Sequence, residues 1–316
     1  MSAQLRQVAV ENQAIVDAGR YRTAGGEEVE VASVLAAAVA GTRYYEAPEL
    51  TGPQEKGGTV EWADSGEVKT TIEVTGEDTV TAARRLVAWA GNSASGHDFA
   101  TAAPSASAST PDSDVTSLSG PGGTVAVLNF ASARHPGGGY LTGAKAQEED
   151  LCRKTLLYWC LLAAPDYYAA HQRARDPFYS HRLIYSPAVP VIRDNHNRPT
   201  APMITMDVIT CAAPNAGVIE RYRPELVGRI PASLTERSGA VLEAAARHGA
   251  RRLVLGAWGC GVFRNDPRHV AAAFRAHLTG DGAYRDVFEH VTFAVLDRSA
   301  QQRNLGAFRD AFGVES

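Results

Sequence analysis

Lysine is nearly missing from this 316-residue chain: only Lys56, Lys69, Lys145 and Lys154 occur among 31 basic residues. The 35 acidic residues outnumber the basic ones, for a net charge of −4. No global positive field therefore exists to hold a polyanion along its length, and no nucleic-acid groove is expected; a local anion pocket stays open. Cysteine is also scarce. Cys152, Cys160, Cys211 and Cys260 lie far apart, with no CxxC and no zinc-like pairing with histidine. They read as reduced thiols of a cytoplasmic protein, so neither a disulfide scaffold nor a bound metal is expected. Long apolar runs are absent too. The best, near Val31 to Ala40, is too short to cross a bilayer, and the N-terminus mixes polar and apolar residues at helical spacing. Secretion and membrane spanning are excluded on that reading. Neither HExxH nor GxSxG occurs, which leaves zinc hydrolysis and a serine triad without motif support.

What is present is enough apolar sequence, 45% against 21% charged residues, to bury a core. Residues 3–18 have the pattern of an amphipathic helix, and a second helical stretch over 30–40 precedes a turn-rich segment, EAPELTGPQEKGGT. Residues 1–67 are taken as an N-terminal helical accessory region and 68–316 as the main domain. In the latter, β-branched 68–76 predicts a strand, followed by a helix with Asp78 or Thr79 as N-cap. Residues 91–123, rich in Ser, Ala, Thr, Gly and Pro, read as a low-complexity surface insertion. Beyond it, strand patterns at 124–131, 183–192, 204–213, 251–258 and 290–297 alternate with helix patterns at 147–164, 231–248 and 267–278. Pro187 and Pro190 make 183–192 look like an edge strand. Strands separated by helices predict an α/β sandwich with a parallel or mixed sheet.

Chemistry concentrates in NFASARHPGGGYLTGAKAQEED, residues 129–150, which joins a strand end to a glycine loop and then to a helix opening in acid. Gly137, Gly138 and Gly139 lack Cβ atoms, so their backbone can approach a ligand and adopt positive φ. Gln147, Glu148 and Glu149 fall in the first helical turn. Acid there can simply answer the helix dipole. Successive helix positions lie about 100° apart, so the two glutamates are expected to point at different atoms and hold different roles. A second segment, 251–278, runs strand, loop with Gly256, Gly259 and Gly261, then a helix with Asn265 or Asp266 as N-cap and Pro267 at its first position. Its backbone amides can cradle an anion. Valine at Gly261 is expected to block a ligand there and to forbid positive φ. Cys260, among glycines, reads as small filling and not as a nucleophile.

These residues resemble the bacterial-type poly(ADP-ribose) glycohydrolases, whose signature is a GGG triplet, a short spacer and QEE. Here the spacer is seven residues, Tyr140 to Ala146, and TCAAPN at 210–215 and LGAWGCGVFRNDP at 255–267 extend the similarity. The resemblance implies a macrodomain-like three-layer α/β/α sandwich with a mixed sheet and an N-terminal helical extension. It implies cleavage of the ribose–ribose bond of poly(ADP-ribose), with ADP-ribose as product, polymer or ADP-ribosylated protein as substrate, and no cofactor. Glu149 would be the catalytic acid and Glu148 would hold the ribose beside the scissile bond. Asn129, Gly137, Gly138, Gly139 and Gln147 would contact substrate. Gly259, Cys260, Gly261, Val262 and Phe263 would wrap the diphosphate, with Phe263 on the distal ribose. Ordinary macrodomains read NAAN at the strand end, whereas Ser132 takes the place of the second asparagine here. A non-hydrolytic ADP-ribose reader would need the loops but not both glutamates, and an NAD-dependent oxidoreductase would need GxGxxG after a strand, which is absent.

Overall fold

The computed structural model describes residues 2–46, 69–93 and 124–313. In chain order its elements are α1 (Ser2–Ala18), β1 (Arg20–Arg22), β2 (Glu28–Glu30), α2 (Ala32–Gly41), β3 (Arg43–Tyr45), β4 (Thr71–Thr75), α3 (Thr79–Ser93) and β5 (Thr124–Phe130). There follow α4 (Gln147–Lys154), α5 (Leu157–Leu162), α6 (Pro165–Ala174), β6 (Leu183–Arg193), β7 (Pro199–Cys211) and α7 (Ala216–Tyr222). The chain closes with α8 (Ile230–Arg247), β8 (Ala250–Leu255), α9 (Pro267–Leu278), β9 (His290–Ala294) and α10 (Arg303–Phe312). Most of the segments expected at 46–59 and 91–123 lie outside the described residues; the first three residues of the latter finish α3.

Seven strands form one mixed sheet in the order β3-β6-β7-β5-β8-β9-β4. The five from β7 to β4 are parallel, while β6 runs antiparallel to both neighbours. Side chains alternate along each strand, and the core divides accordingly. Ala126, Leu128, Ile209, Leu253 and Phe293 face α8, α9 and α10, whereas Val125, Val127, Val208 and Val254 face the layer of α3 to α6. This is the three-layer sandwich expected. The N-terminal region contributes β3 to the main sheet and does not stand apart from it.

Two expectations are corrected. The helix read over 147–164 is broken at Thr155, where the backbone extends and bridges to Val191 while the Leu156 N–H donates to the Pro190 carbonyl at 3.0 Å. Beyond the break Leu162 is exposed, while Leu151, Thr155 and Leu156 are buried. Nor is 183–192 an edge. β6 lies between β3 and β7, and Pro187 sits in the register shift between Ser186 and Val189, where no ladder donor is required of it. Local capping, by contrast, reads true: Asp78 accepts from the Val80 and Thr81 amides, and Asp266 caps α9 ahead of Pro267.

Candidate active site

Because β5, β7 and β8 are parallel neighbours, the loops that follow them emerge on one edge of the sheet, the usual place for a ligand in such folds. The central strand β5 leads into the glycine loop, and α4 returns beside it. Gln147 ties the two together: its Oε1 accepts from the Phe130 amide at 2.8 Å, and its Nε2 donates to the Leu128 carbonyl at 2.9 Å and to Thr79 Oγ1 at 3.1 Å. The amide expected to meet substrate is thus committed to holding α4 on the end of β5. Asn129 is likewise fully buried; its Nδ2 donates to Glu148 Oε1 at 3.3 Å and to Thr210 Oγ1 at 3.2 Å. It braces a glutamate and does not face open space.

Glu148 Oε2 accepts from the Ser132 amide at 2.7 Å. Ser132 Oγ in turn accepts from the Arg134 and His135 amides, so this residue starts the loop turn and fixes the carboxyl at once. Glu149 takes the other side: its Oε1 accepts from the Gly139 amide at 2.8 Å, while its buried Oε2 has no partner within the protein. The two carboxyls do meet different partners, yet both close over one residue. A Cβ on Gly138 would lie 2.5 Å from Glu149 Oε1 and 2.9 Å from Glu148 Oε2, and Gly138 holds φ +56°. The 100° helical separation is overcome because both side chains curl back to the loop. Gly137 is needed for packing as well, with φ +66° and with Tyr158 and Cys152 only 3.0 and 3.3 Å from where a Cβ would sit.

Burial pushes the Glu148 carboxyl up to about 8; the Ser132 and Asn129 hydrogen bonds oppose the rise and neighbouring Glu149 adds to it. The unfolded chain releases this proton from about 4.5 upward while the folded chain keeps it to about 8, so the group lowers stability as pH rises through that window. Glu148→Gln removes the effect. Its melting temperature relative to the parent should climb between pH 5 and pH 8, each unit being worth at most about 1.4 kcal/mol. A difference that stays flat across that range would contradict a neutral Glu148.

The second loop is braced from below. Trp258 Nε1 donates to the Cys211 carbonyl at 2.9 Å, and buried Asn265 Nδ2 donates to the carbonyls of Pro214 at 2.8 Å and Gly259 at 3.2 Å. Gly256 abuts Phe130 at the end of β5, so this loop and the glycine loop spring from touching strand ends. Gly261 and Val262 are exposed, Phe263 is half-buried beside Tyr179, and burial pushes the Cys260 thiol up to about 12, which keeps it an inert filler. Of these two glycines the left-handed one is Gly259, at φ +72°, not Gly261, whose Cβ would meet nothing. Gly259→Ala should therefore lower the melting temperature, its Cβ falling 2.5 Å from Asn265 Nδ2 and 2.6 Å from Ala213 Cβ. Gly261→Ala should leave it unchanged, so any loss of ADP-ribose affinity there, read by calorimetry, reports the ligand directly. Equal melting temperatures for the two variants would reject this division.

Other supports escaped the sequence reading because their partners are distant. Tyr167 OH accepts from the Ala212 amide at 3.0 Å, and buried Arg237 donates to the Ala212 and Phe178 carbonyls, each at 2.7 Å. Nothing local to either residue signals this. Among the described residues no group of three or more His, Cys, Asp or Glu side chains could hold a metal ion, and no helix is long and apolar enough to span a membrane.

On this α/β/α sandwich two adjacent carboxyls are clamped under a glycine loop, one with an oxygen unpartnered within the protein, which is the kind of group glycosidic hydrolases use. Residues 9–194 match the family model described as the microbial-type PARG catalytic domain. A crystal structure of poly(ADP-ribose) glycohydrolase from Thermomonospora curvata is 40% identical, with a TM-score of 0.81, covering 98% of this chain and 100% of that one. The same enzyme bound to the inhibitor ADP-HPD matches at 40% identity and TM-score 0.79, over 98% and 99% of the two chains. The Deinococcus radiodurans enzyme in complex with ADP-ribose matches at 37% identity and TM-score 0.70, over 90% and 98%. No curated protein matches. The chain belongs to the microbial-type poly(ADP-ribose) glycohydrolase family.

Proposed function

We propose that this chain hydrolyses the ribose–ribose O-glycosidic bond of poly(ADP-ribose), releasing ADP-ribose, with Glu149 as the acid and base. The observation that carries the reading is the division of labour within one carboxyl: Oε1 is fixed by the Gly139 amide, and Oε2 is buried without a partner. An oxygen held at that depth with no protein donor is suited to a substrate atom. In its protonated form Glu149 donates to the leaving ribose oxygen as the glycosidic C–O bond breaks through an oxocarbenium-like transition state. The carboxylate so formed then takes a proton from the attacking water, which restores the acid and completes the product.

Glu148, neutral below about pH 8, orients the ribose by hydrogen bonding. The amides of 259–263 receive the diphosphate, and Phe263 stands beside the distal ribose. A reader that only binds ADP-ribose has no use for the free Glu149 oxygen. Proteins carrying ADP-ribose polymer are the natural macromolecular substrates on this reading. Incubation with purified poly(ADP-ribose) and chromatography of the products tests it: free ADP-ribose is expected, and intact polymer after prolonged incubation would overturn it.

A further inference from the structure

The N-terminal helix α1 turns one polar residue, Asn12, into the core, between Ala9 and Ile15 on its buried face. Asn12 is fully buried and its amide is saturated. Oδ1 accepts from Arg193 Nε at 2.8 Å, and Arg193 also pairs with Glu11 at 3.1 Å. Nδ2 lies within donating distance of three oxygens: Tyr140 OH at 3.2 Å, the Cys152 carbonyl at 3.3 Å and the Arg153 carbonyl at 2.9 Å. Two of these are last-turn carbonyls of α4, which its own helix leaves unsatisfied. The third belongs to the residue directly after Gly139. One side chain therefore touches both arms of the hairpin whose closure is the 2.8 Å bond from the Gly139 amide to Glu149 Oε1. The start of α1 makes a second close contact with the same loop. Gly143, at φ +79°, leaves a Cβ position only 2.5 Å from the Ser2 carbonyl oxygen.

We propose that Asn12 is a positioning residue for catalysis: through Tyr140 and the end of α4 it fixes the gap between the glycine loop and the helix bearing Glu149. This rests on Glu149 as the acid. Losing the link lets the loop drift from α4, so the carboxyl that must meet the glycosidic oxygen is aimed less well, while the diphosphate loop after β8 is untouched.

The test uses the full chain carrying Tyr140→Phe, Asn12→Ala, or both, with kcat and KM on poly(ADP-ribose), ADP-ribose affinity by calorimetry and melting temperature. Tyr140→Phe keeps the buried ring and removes only the hydroxyl, so it carries the test even if Asn12→Ala fails to fold. We expect Tyr140→Phe to lower kcat about ten-fold, within the loss of up to about 10²-fold that a misplacement near 1 Å can cause. ADP-ribose affinity and KM should stay within about two-fold, since the binding loop is elsewhere. In the double variant kcat should be no lower than in Asn12→Ala alone, because the two residues act through one link. Unchanged kcat in folded Tyr140→Phe, whatever happens to its melting temperature, would overturn the proposal. So would fully multiplicative losses in the double variant. An active Glu149→Gln enzyme would instead remove the acid assignment, an outcome distinct from either.

Discussion

Glu149→Gln is expected to bind ADP-ribose with near-parental affinity while polymer hydrolysis falls by roughly 10²–10⁴-fold, the usual loss when general acid–base catalysis is removed. The amide keeps the size of the side chain and can still accept from the Gly139 amide, so the loop stays closed. What disappears is the proton that Oε2 would exchange. Glu148→Gln should cost less. Its carboxyl is already neutral below about pH 8, and an amide reproduces that state while its oxygen can still accept from the Ser132 amide. Product release and ADP-ribose affinity, measured for both variants, separate the roles. Near-normal turnover by Glu149→Gln would sink the assignment, and lost binding would mean that Glu149 holds substrate instead of moving a proton.

Gly138→Ala should be the most damaging substitution outside the glutamates. An alanine there must adopt φ +56° and place its methyl 2.5 Å from Glu149 Oε1 and 2.9 Å from Glu148 Oε2. The conformation costs roughly 1–2 kcal/mol, and relief of the overlap requires both carboxyls to move. Displacements near 1 Å at reacting groups cost about 10²-fold in rate, so turnover should fall by at least that order in a protein that still folds. Circular dichroism and the product assay together check it; a folded Gly138→Ala enzyme of parental rate would show that the carboxyls do not need this glycine.

The parts of the fold written in local chemistry were legible. Apolar runs identify β5 and the second half of β7, and Asp266 with Pro267 marks the start of α9 because a cap and a fixed φ act within one turn. The break at Thr155 was not legible, since it is enforced by Val191 and Pro190 on a strand more than thirty residues away. The same distance hid the status of β6: Pro187 argued for an edge, but a register shift accommodates it inside the sheet. At the site, the glycine triplet and the two glutamates stood out by their spacing. Gln147 and Asn129 also stood out, yet their side chains turn inward to Phe130, Leu128 and Glu148. A motif identifies residues that must be kept without saying whether they face ligand or scaffold. Asn12, Tyr167 and Arg237 carried no such pattern, because each acts on carbonyls, amides or hydroxyls remote in sequence.

The buried, protonated state of Glu148 also bears on how an anion is captured. Two unit charges 4 Å apart repel by about 4 kcal/mol at an effective dielectric constant of 20. A charged Glu148 would add repulsion of this kind, weakening with distance, to any anion brought near the glycine loop. Below about pH 8 that charge is cancelled by a proton that burial itself retains, so the desolvation that makes the site costly to build also makes it hospitable to an anion. With Glu148 beside the ribose, ligand and proton act as thermodynamic allies: alkaline conditions that strip the proton from Glu148 are expected to loosen the hold on ADP-ribose, and bound ADP-ribose to hold that proton more tightly.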